Sequence, residues 1–375
     1  MTHPWLAVLF CLLLLFTGRA SSEKCQVISE QGEVRPLHVV YFVPKAPPDT
    51  FWYRHKQFTQ AAAKSLNIKL TTLEIGRVTN GAAVFTQELE KTLNQDNKPD
   101  MALGLFYMIP KSAIVDTFEQ HRLPYFSLNT SFGERLRQIF GKPREQYQYW
   151  IGHLMPDDEA ASYHMTRRIL ANKPQQTSTS MIAIAGAIKS TVSLNRVKGL
   201  KKAVDENKVS LYPVAHTNWS QQDASRVLRQ RLQRANSAHA MWLAGNEITL
   251  GAISVLQDLQ FKPGQITLGT FDWTQQTMDL IKTGWIDVAY GGHFIEGGVA
   301  LALMLDYAQG IDFAEETDTM ITMPLQPLTK NNLHQDAKLI DKSYWGQINF
   351  KHLSKCYSPK RSHYQLTIDD TAWLD

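Results

Sequence analysis

Apolar and polar positions along this chain switch period at nearly every element. Leu37–Val43 (LHVVYFV) is apolar on both faces for the length of one strand and stops at Pro44, the pattern of a strand buried inside a parallel sheet. Phe58, Ala61, Ala62, Ser65 and Leu66 then recur with the period of a helix. Ile68–Ile75 alternates as a strand and Val84–Leu93 is helical again. Met101–Ile109 reads as a second buried strand, Ala113–Gln120 as a helix and Pro124–Leu128 as a strand. After that the run begins anew. Trp150–Leu154 predicts a short strand and Ala160–Leu170 a helix, with Asp157, Asp158 and Glu159 matched to the positive end of its dipole. Strands at Met181–Ala185, Ser210–Val214, Ala240–Leu243, Ile266–Phe271 and Ile286–Ala289 alternate with helices at Asn195–Val204, Ala224–Ala235, Ile248–Leu259, Gln275–Thr283 and Val299–Gln309. Strand and helix taking turns predict an α/β fold with parallel sheets. Two such runs in succession predict two similar lobes with a cleft between them.

Composition narrows the class. The chain of 375 residues is 43% apolar and 20% charged, a globular balance rather than a disordered one. A formal net charge of +4 gives no reason to invoke nucleic acid or an anionic membrane. The first residues stand apart. Leu6–Phe16 is an unbroken apolar run followed by Thr17-Gly18-Arg19-Ala20, which reads as a secretory signal, residues 1–20, cleaved after Ala20. An uncleaved anchor is the alternative, although the run falls short of the ~20 apolar residues that span a bilayer. Of the three cysteines, Cys11 lies in this segment, so Cys25 and Cys356 remain. In an oxidising compartment those two could form one disulfide.

Five short matches, in consistent order and spacing, carry a resemblance. They are Phe51-Trp52 with Phe58 and Ala61-Ala62-Ala63-Lys64-Ser65-Leu66-Asn67-Ile68; Leu123-Pro124-Tyr125-Phe126-Ser127-Leu128-Asn129; Asn195-Arg196-Val197-Lys198-Gly199-Leu200; Asn246-Glu247-Ile248-Thr249-Leu250-Gly251-Ala252; and Leu268-Gly269-Thr270-Phe271-Asp272. With them the chain resembles the type I periplasmic binding proteins, the superfamily of ribose, galactose and autoinducer receptors. The resemblance implies two Rossmann-like lobes with parallel sheets, joined by a three-crossover hinge. Lobe one would comprise 35–153 plus 293–323 and lobe two 154–292 plus 324–345, with 346–375 as a C-terminal tail. The protein is then expected to be a periplasmic monomer. Both mature cysteines fall outside the lobes, so the tail must run back along the surface if they are to bridge. Tyr344, Trp345, Ile348, Phe350 and Leu353 give it apolar side chains to pack there.

The same resemblance implies capture of a small polar, sugar-like ligand between the lobes, with neither cofactor nor metal. Aromatic planes cover the apolar faces of a sugar, and bidentate side chains satisfy its hydroxyls in a desolvated cleft. The positions that match family ligand contacts carry such groups. Phe51 and Trp52 would wall the cleft from lobe one and Trp219 and Phe271 from lobe two. Arg196 would supply a charged fork, and Asn129, Asn246 and Asp272 further polar contacts. Plainer structural readings exist: Phe51 and Trp52 as core aromatics, Arg196 as a surface pair. Two departures from the family pattern, Gly292 followed by His293 and Thr130 beside Asn129, mean that the ligand need not be a simple pentose or hexose. The implied partner is an inner-membrane ABC permease; the alternative is a membrane sensor kinase or receptor, as for the autoinducer receptors. A periplasmic carbohydrate-active enzyme is a third reading, since Asp272 and Glu296 could pair across a cleft. The sequence holds no nucleophile elbow, metalloprotease, phosphate-loop or dinucleotide motif, and His352, Cys356 and His363 match no usual zinc spacing.

Overall fold

The computed structural model describes residues 25–28, 32–76, 81–94, 98–105, 111–130, 134–171, 180–234 and 238–367; the signal expected at 1–20 lies outside them. Two open sheets carry the chain. In the first, Met320–Met323, Trp150–Pro156, Tyr125–Leu128, Met101–Gly104, His38–Pro44 and Lys69–Ile75 lie side by side in that order, all parallel. In the second the order is Ala215–His216, Ser180–Ala185, Ala240–Leu243, Thr267–Phe271, Val288–Gly291 and Gln326–Leu328, with only the last pair antiparallel. Strands of the central positions are buried along nearly their whole length, as their two-sided apolar runs require. Each sheet reverses direction beside its first strand. Lys69–Ile75 lies on one side of His38–Pro44 and Met101–Gly104 on the other. Ala215–His216 and Ala240–Leu243 flank Ser180–Ala185 in the same way. Ligands of open α/β sheets bind outside the carboxyl ends of the strands at such reversals.

The chain passes between the sheets three times. After Pro156 it enters the helix Asp158–Ala171, which packs on the second sheet. After Gly291 a short turn leads into the helix Glu296–Ala308, which packs on the first sheet and on the helix Phe51–Ser65. The third passage lies between Met323 and Gln326.

Local departures from the sequence pattern have local causes. The helix that carries Phe58 begins at Phe51, so Phe51 and Trp52 form its first turn. The strand expected over Ser210–Val214 is two short pieces, Ser210–Leu211 and Ala215–His216, because Pro213 between them has no amide to give a ladder. The strand expected over Met101–Ile109 runs Met101–Gly104, and 106–109 lie outside the described residues.

Beyond Leu328 the chain returns to the first lobe. The turns Lys342–Gln347 and Phe350–Leu353 pack on the helices Phe51–Ser65 and Glu296–Ala308. Phe58 meets Trp345 and Phe350 edge-on at ring distances of 5.3 and 5.1 Å. The buried Arg54 guanidinium donates to the Ile340 carbonyl and lies 5.3 Å from the Trp345 ring. Cys25 and Cys356 are bridged, with Cα atoms 6.0 Å apart. Asp306, near the end of its helix, fixes the start of this last segment. It accepts from the Ser354 hydroxyl (2.5 Å), the Lys355 and Cys356 amides (2.7 and 3.0 Å) and the Tyr364 hydroxyl (2.9 Å). No helix of the described residues is long and apolar enough to cross a membrane.

Candidate functional site

The first lobe contributes residues from three elements. The helix Phe51–Ser65 follows the strand His38–Pro44, at the carboxyl side of the reversal. The helix Glu296–Ala308 reaches it because its first turn is Gly297-Gly298. A Cβ on Gly297 would stand 2.0 Å from the Thr59 hydroxyl and 3.0 Å from the His55 ring, and one on Gly298 would stand 2.9 Å from Phe58. That approach sets Glu296 beside His55, Oε2 to Nε2 3.8 Å, with both side chains fully buried. Asn129, at the end of Tyr125–Leu128, donates from Nδ2 to Glu296 Oε2 at 3.2 Å. Phe51 stacks on His293 at 4.4 Å between ring centres, and Trp52 lies 5.4 Å from His55. The Tyr41 hydroxyl and His55 Nδ1 are 2.6 Å apart.

The second lobe answers with charge and a large ring. Arg196 donates from Nε to Asp158 Oδ1 at 2.7 Å and from Nη1 to the Ala244 carbonyl at 2.6 Å. Its guanidinium lies 4.0 Å from the centre of the Phe271 ring. Phe271 is fully buried, so it supports Arg196 from below. Trp219 lies against Gly186 and Gly245: a Cβ on either glycine would stand 2.0 or 3.4 Å from its ring. Those glycines follow Ser180–Ala185 and Ala240–Leu243, so the indole covers the reversal of the second sheet. Asp272 accepts from the Asn246 amide at 3.0 Å, and its other oxygen is 3.6 Å from His293 Nε2, bringing the lobes together. Asn246 is occupied differently. Its side-chain oxygen accepts from Thr274 and Thr277 hydroxyls at 2.9 and 3.1 Å, and its amide donates to Glu247 and Gln276. It fastens the helix Gln275–Lys282 and has little capacity left for a ligand. Asn129, Trp219 and Asp272 all have positive φ, at 63°, 65° and 76°. This is strain of the kind that concentrates at binding sites, of order 1–3 kcal/mol per residue.

Electrostatically the two sides form one cluster. Burial lifts the pKa of Glu296 well above the carboxylate range; the Asn129 bond opposes it, the nearby Asp158 adds to it and Arg196 opposes it. Burial pushes His55 down to about 3 and His293 well below its ordinary value. Asp158 is raised to about 6 by burial, against the pull of Arg196, and burial raises Asp272 as well. Three buried polar atoms at this place, His55 Nε2, His293 Nδ1 and Glu296 Oε1, have no hydrogen-bond partner, and neither does Ser193 Oγ on the helix that carries Arg196. Each such atom costs about 1–3 kcal/mol, and folded proteins keep few of them. Ser193 sits one turn before Arg196 on the same helix face.

Sequence reasoning named the aromatic walls, Asn129, Arg196 and Asp272. It missed His55, Ser193 and Asp158, and read Glu296 only as a possible enzymatic acid. Glu-Gly-Gly at 296–298 was the available signal, because paired glycines opening a helix announce a close helix contact. A cavity of about 520 Å³, counting its open mouth, lies elsewhere in the first lobe, lined by Tyr125, Ser127, Trp150 and His153 among others. It shares no residue with the cluster.

The family model described as "Periplasmic binding protein domain" matches residues 148–312. Among solved structures, a periplasmic sugar-binding protein from Pseudomonas fluorescens superposes with a TM-score of 0.74 at 25% identity, covering 88% of this chain and 97% of that one. GanP, a glucose-galactose binding protein from Geobacillus stearothermophilus, gives 0.64 at 16% identity, over 80% of this chain and 99% of its own. The periplasmic component of the arabinose ABC transporter from Shewanella sp. ANA-3, bound to arabinofuranose, gives 0.66 at 12% identity, over 82% and 96%. No curated protein sequence matches the chain.

Proposed function

We propose that this chain, a type I periplasmic binding protein by its matched domain and its fold, captures one small polar ligand between its lobes and performs no chemistry on it. The observation that carries this reading is the set of unpartnered buried polar atoms on His55, His293 and Glu296, flanked by Phe51 and Trp52 and met from the other lobe by Asp272 and Arg196. Three requirements of a solute receptor meet there: flat apolar surfaces, fixed polar groups and a hinge of three passages. A sugar-like ligand suits the aromatic walls and the arginine fork. Several similar structures are named as sugar-binding proteins or ABC transporter components; delivery to an inner-membrane ABC permease is accordingly the proposed outlet, and the periplasm the proposed compartment.

Closure of 35–153 plus 293–323 onto 154–292 should be visible as compaction by small-angle scattering when ligand is added. Trp52→Ala and Arg196→Ala should each weaken binding while the fold persists. Removing a buried charged partner costs about 2–5 kcal/mol of affinity. Unchanged dimensions, together with unchanged affinity in both variants, would place the site elsewhere.

A further inference from the structure

Resting on that reading, we infer that the ligand carries a basic nitrogen, an amino sugar rather than a neutral one, and that Glu296 is the residue that selects it. Of the buried acids in the cluster, Asp158 is held by Arg196 through a 2.7 Å bond. Asp272 accepts a backbone amide and has an imidazole 3.6 Å away. Glu296 has one amide donor on Oε2, an imidazole 3.8 Å distant, and nothing on Oε1. Among the described residues, the guanidinium that acts on Glu296 is that of Arg196, already committed to Asp158 and to a carbonyl. Both neighbouring imidazoles are buried, which disfavours their charged forms. The site therefore holds carboxyl groups in excess of cations.

A neutral sugar can satisfy Oε1 with a hydroxyl but leaves that imbalance unrelieved. An ammonium group relieves it: a cation beside Oε1 favours the ionised form of Glu296, which gives up to solvent the proton it keeps in the unliganded protein, and the resulting ion pair gains a Coulomb attraction that a neutral hydroxyl cannot supply. The surroundings point the same way. Phe51 and Trp52 pack on His293 and His55, Trp219 and Asp272 both border Gly245 in the other lobe, and aromatic rings attract organic cations. The Glu-Gly-Gly turn makes the arrangement specific, since only glycine at 297 lets the helix carry Glu296 so close to His55.

The test is calorimetric titration of the exported, disulfide-bonded protein and of Glu296→Gln with three matched sets. These are glucosamine, galactosamine and mannosamine, their N-acetyl derivatives, and the neutral parent sugars. The expected result is that at least one amine binds about tenfold or more tightly than both its acetylated and its neutral counterpart. In Glu296→Gln that preference should vanish, through loss of amine affinity. Should that variant not fold, Glu296→Asp replaces it, with the preference retained at weaker affinity. A neutral parent that binds the wild type as tightly as its amine overturns the inference and leaves the receptor reading standing. So does a preference that survives Glu296→Gln. Binding of none of the nine sugars overturns both the inference and the sugar ligand proposed above.

Discussion

Glu296 and Asp306 lie on the same helix, both fully buried, and the fold treats them in opposite ways. Asp306 has two donors on each oxygen: two hydroxyls and two backbone amides, all from the segment 354–364. Glu296 has one amide on one oxygen and none on the other. Burial raises the pKa of both, but donors surround Asp306 while only Asn129 serves Glu296. The asparagines repeat the contrast. Asn246 spends its whole side chain on bracing a helix, whereas Asn129 reaches into the cluster. Asp306 is saturated by the segment it holds, whereas Glu296 is left one partner short, the difference expected between a group that braces the fold and one that meets the proposed ligand.

That contrast predicts different failures. Asp306→Ala should be the most damaging, since it strands several buried donors and frees the tail. A loss of about 3–5 kcal/mol in urea unfolding is expected, with ligand affinity of the remaining folded fraction unchanged. A loss under 1 kcal/mol would mean that the tail is held by something else. Next comes the Cys25→Ser, Cys356→Ser pair. It should cost about 2–4 kcal/mol and leave binding intact, because the bridge joins two ends on one lobe without crossing the cleft. Weakened binding in that variant would show that the tail takes part in the site.

The smallest effect on stability belongs to Glu296→Gln, on the order of 1 kcal/mol, and its sign depends on pH. The folded-state pKa of Glu296 stands above its ordinary value of 4.5. As pH rises past that value, the unfolded chain releases this proton while the folded chain keeps it, so unliganded wild-type stability falls. Glu296→Gln lacks that contribution and should gain on the wild type between pH 4.5 and 7. Chemical denaturation of both proteins across that range checks it. A variant that loses ground with rising pH would indicate that Glu296 is a stabilising ion pair after all.

Much of the architecture was legible because parallel strands buried on both faces write themselves as unbroken apolar runs, of which His38–Val43 and Met181–Ala185 are examples. Pieces of two or three residues, such as Ser210–Leu211 and Gln326–Leu328, are too short to show a period. The candidate site was legible where one residue type in a known motif position suffices: Arg196 and Trp219, named by position, lie at the end of the second sheet beside the cluster. It was illegible where the role arises only from proximity. His55 looks like one more position in an amphipathic helix until Glu296 arrives from a helix far along the chain. Phe271 and Asn246 were found by position, yet the structure has one supporting Arg196 and the other bracing a helix.

The central claim is that the unsatisfied cluster between the lobes is completed by one small molecule. Native mass spectrometry of the protein, equilibrated with a polar metabolite extract, tests it most directly. The account predicts one added molecule of sugar-like mass per chain on the wild type and on the cysteine-free variant, and its loss from Arg196→Ala. A wild type with no added mass, or an Arg196→Ala variant carrying the same molecule at the same occupancy, would contradict it.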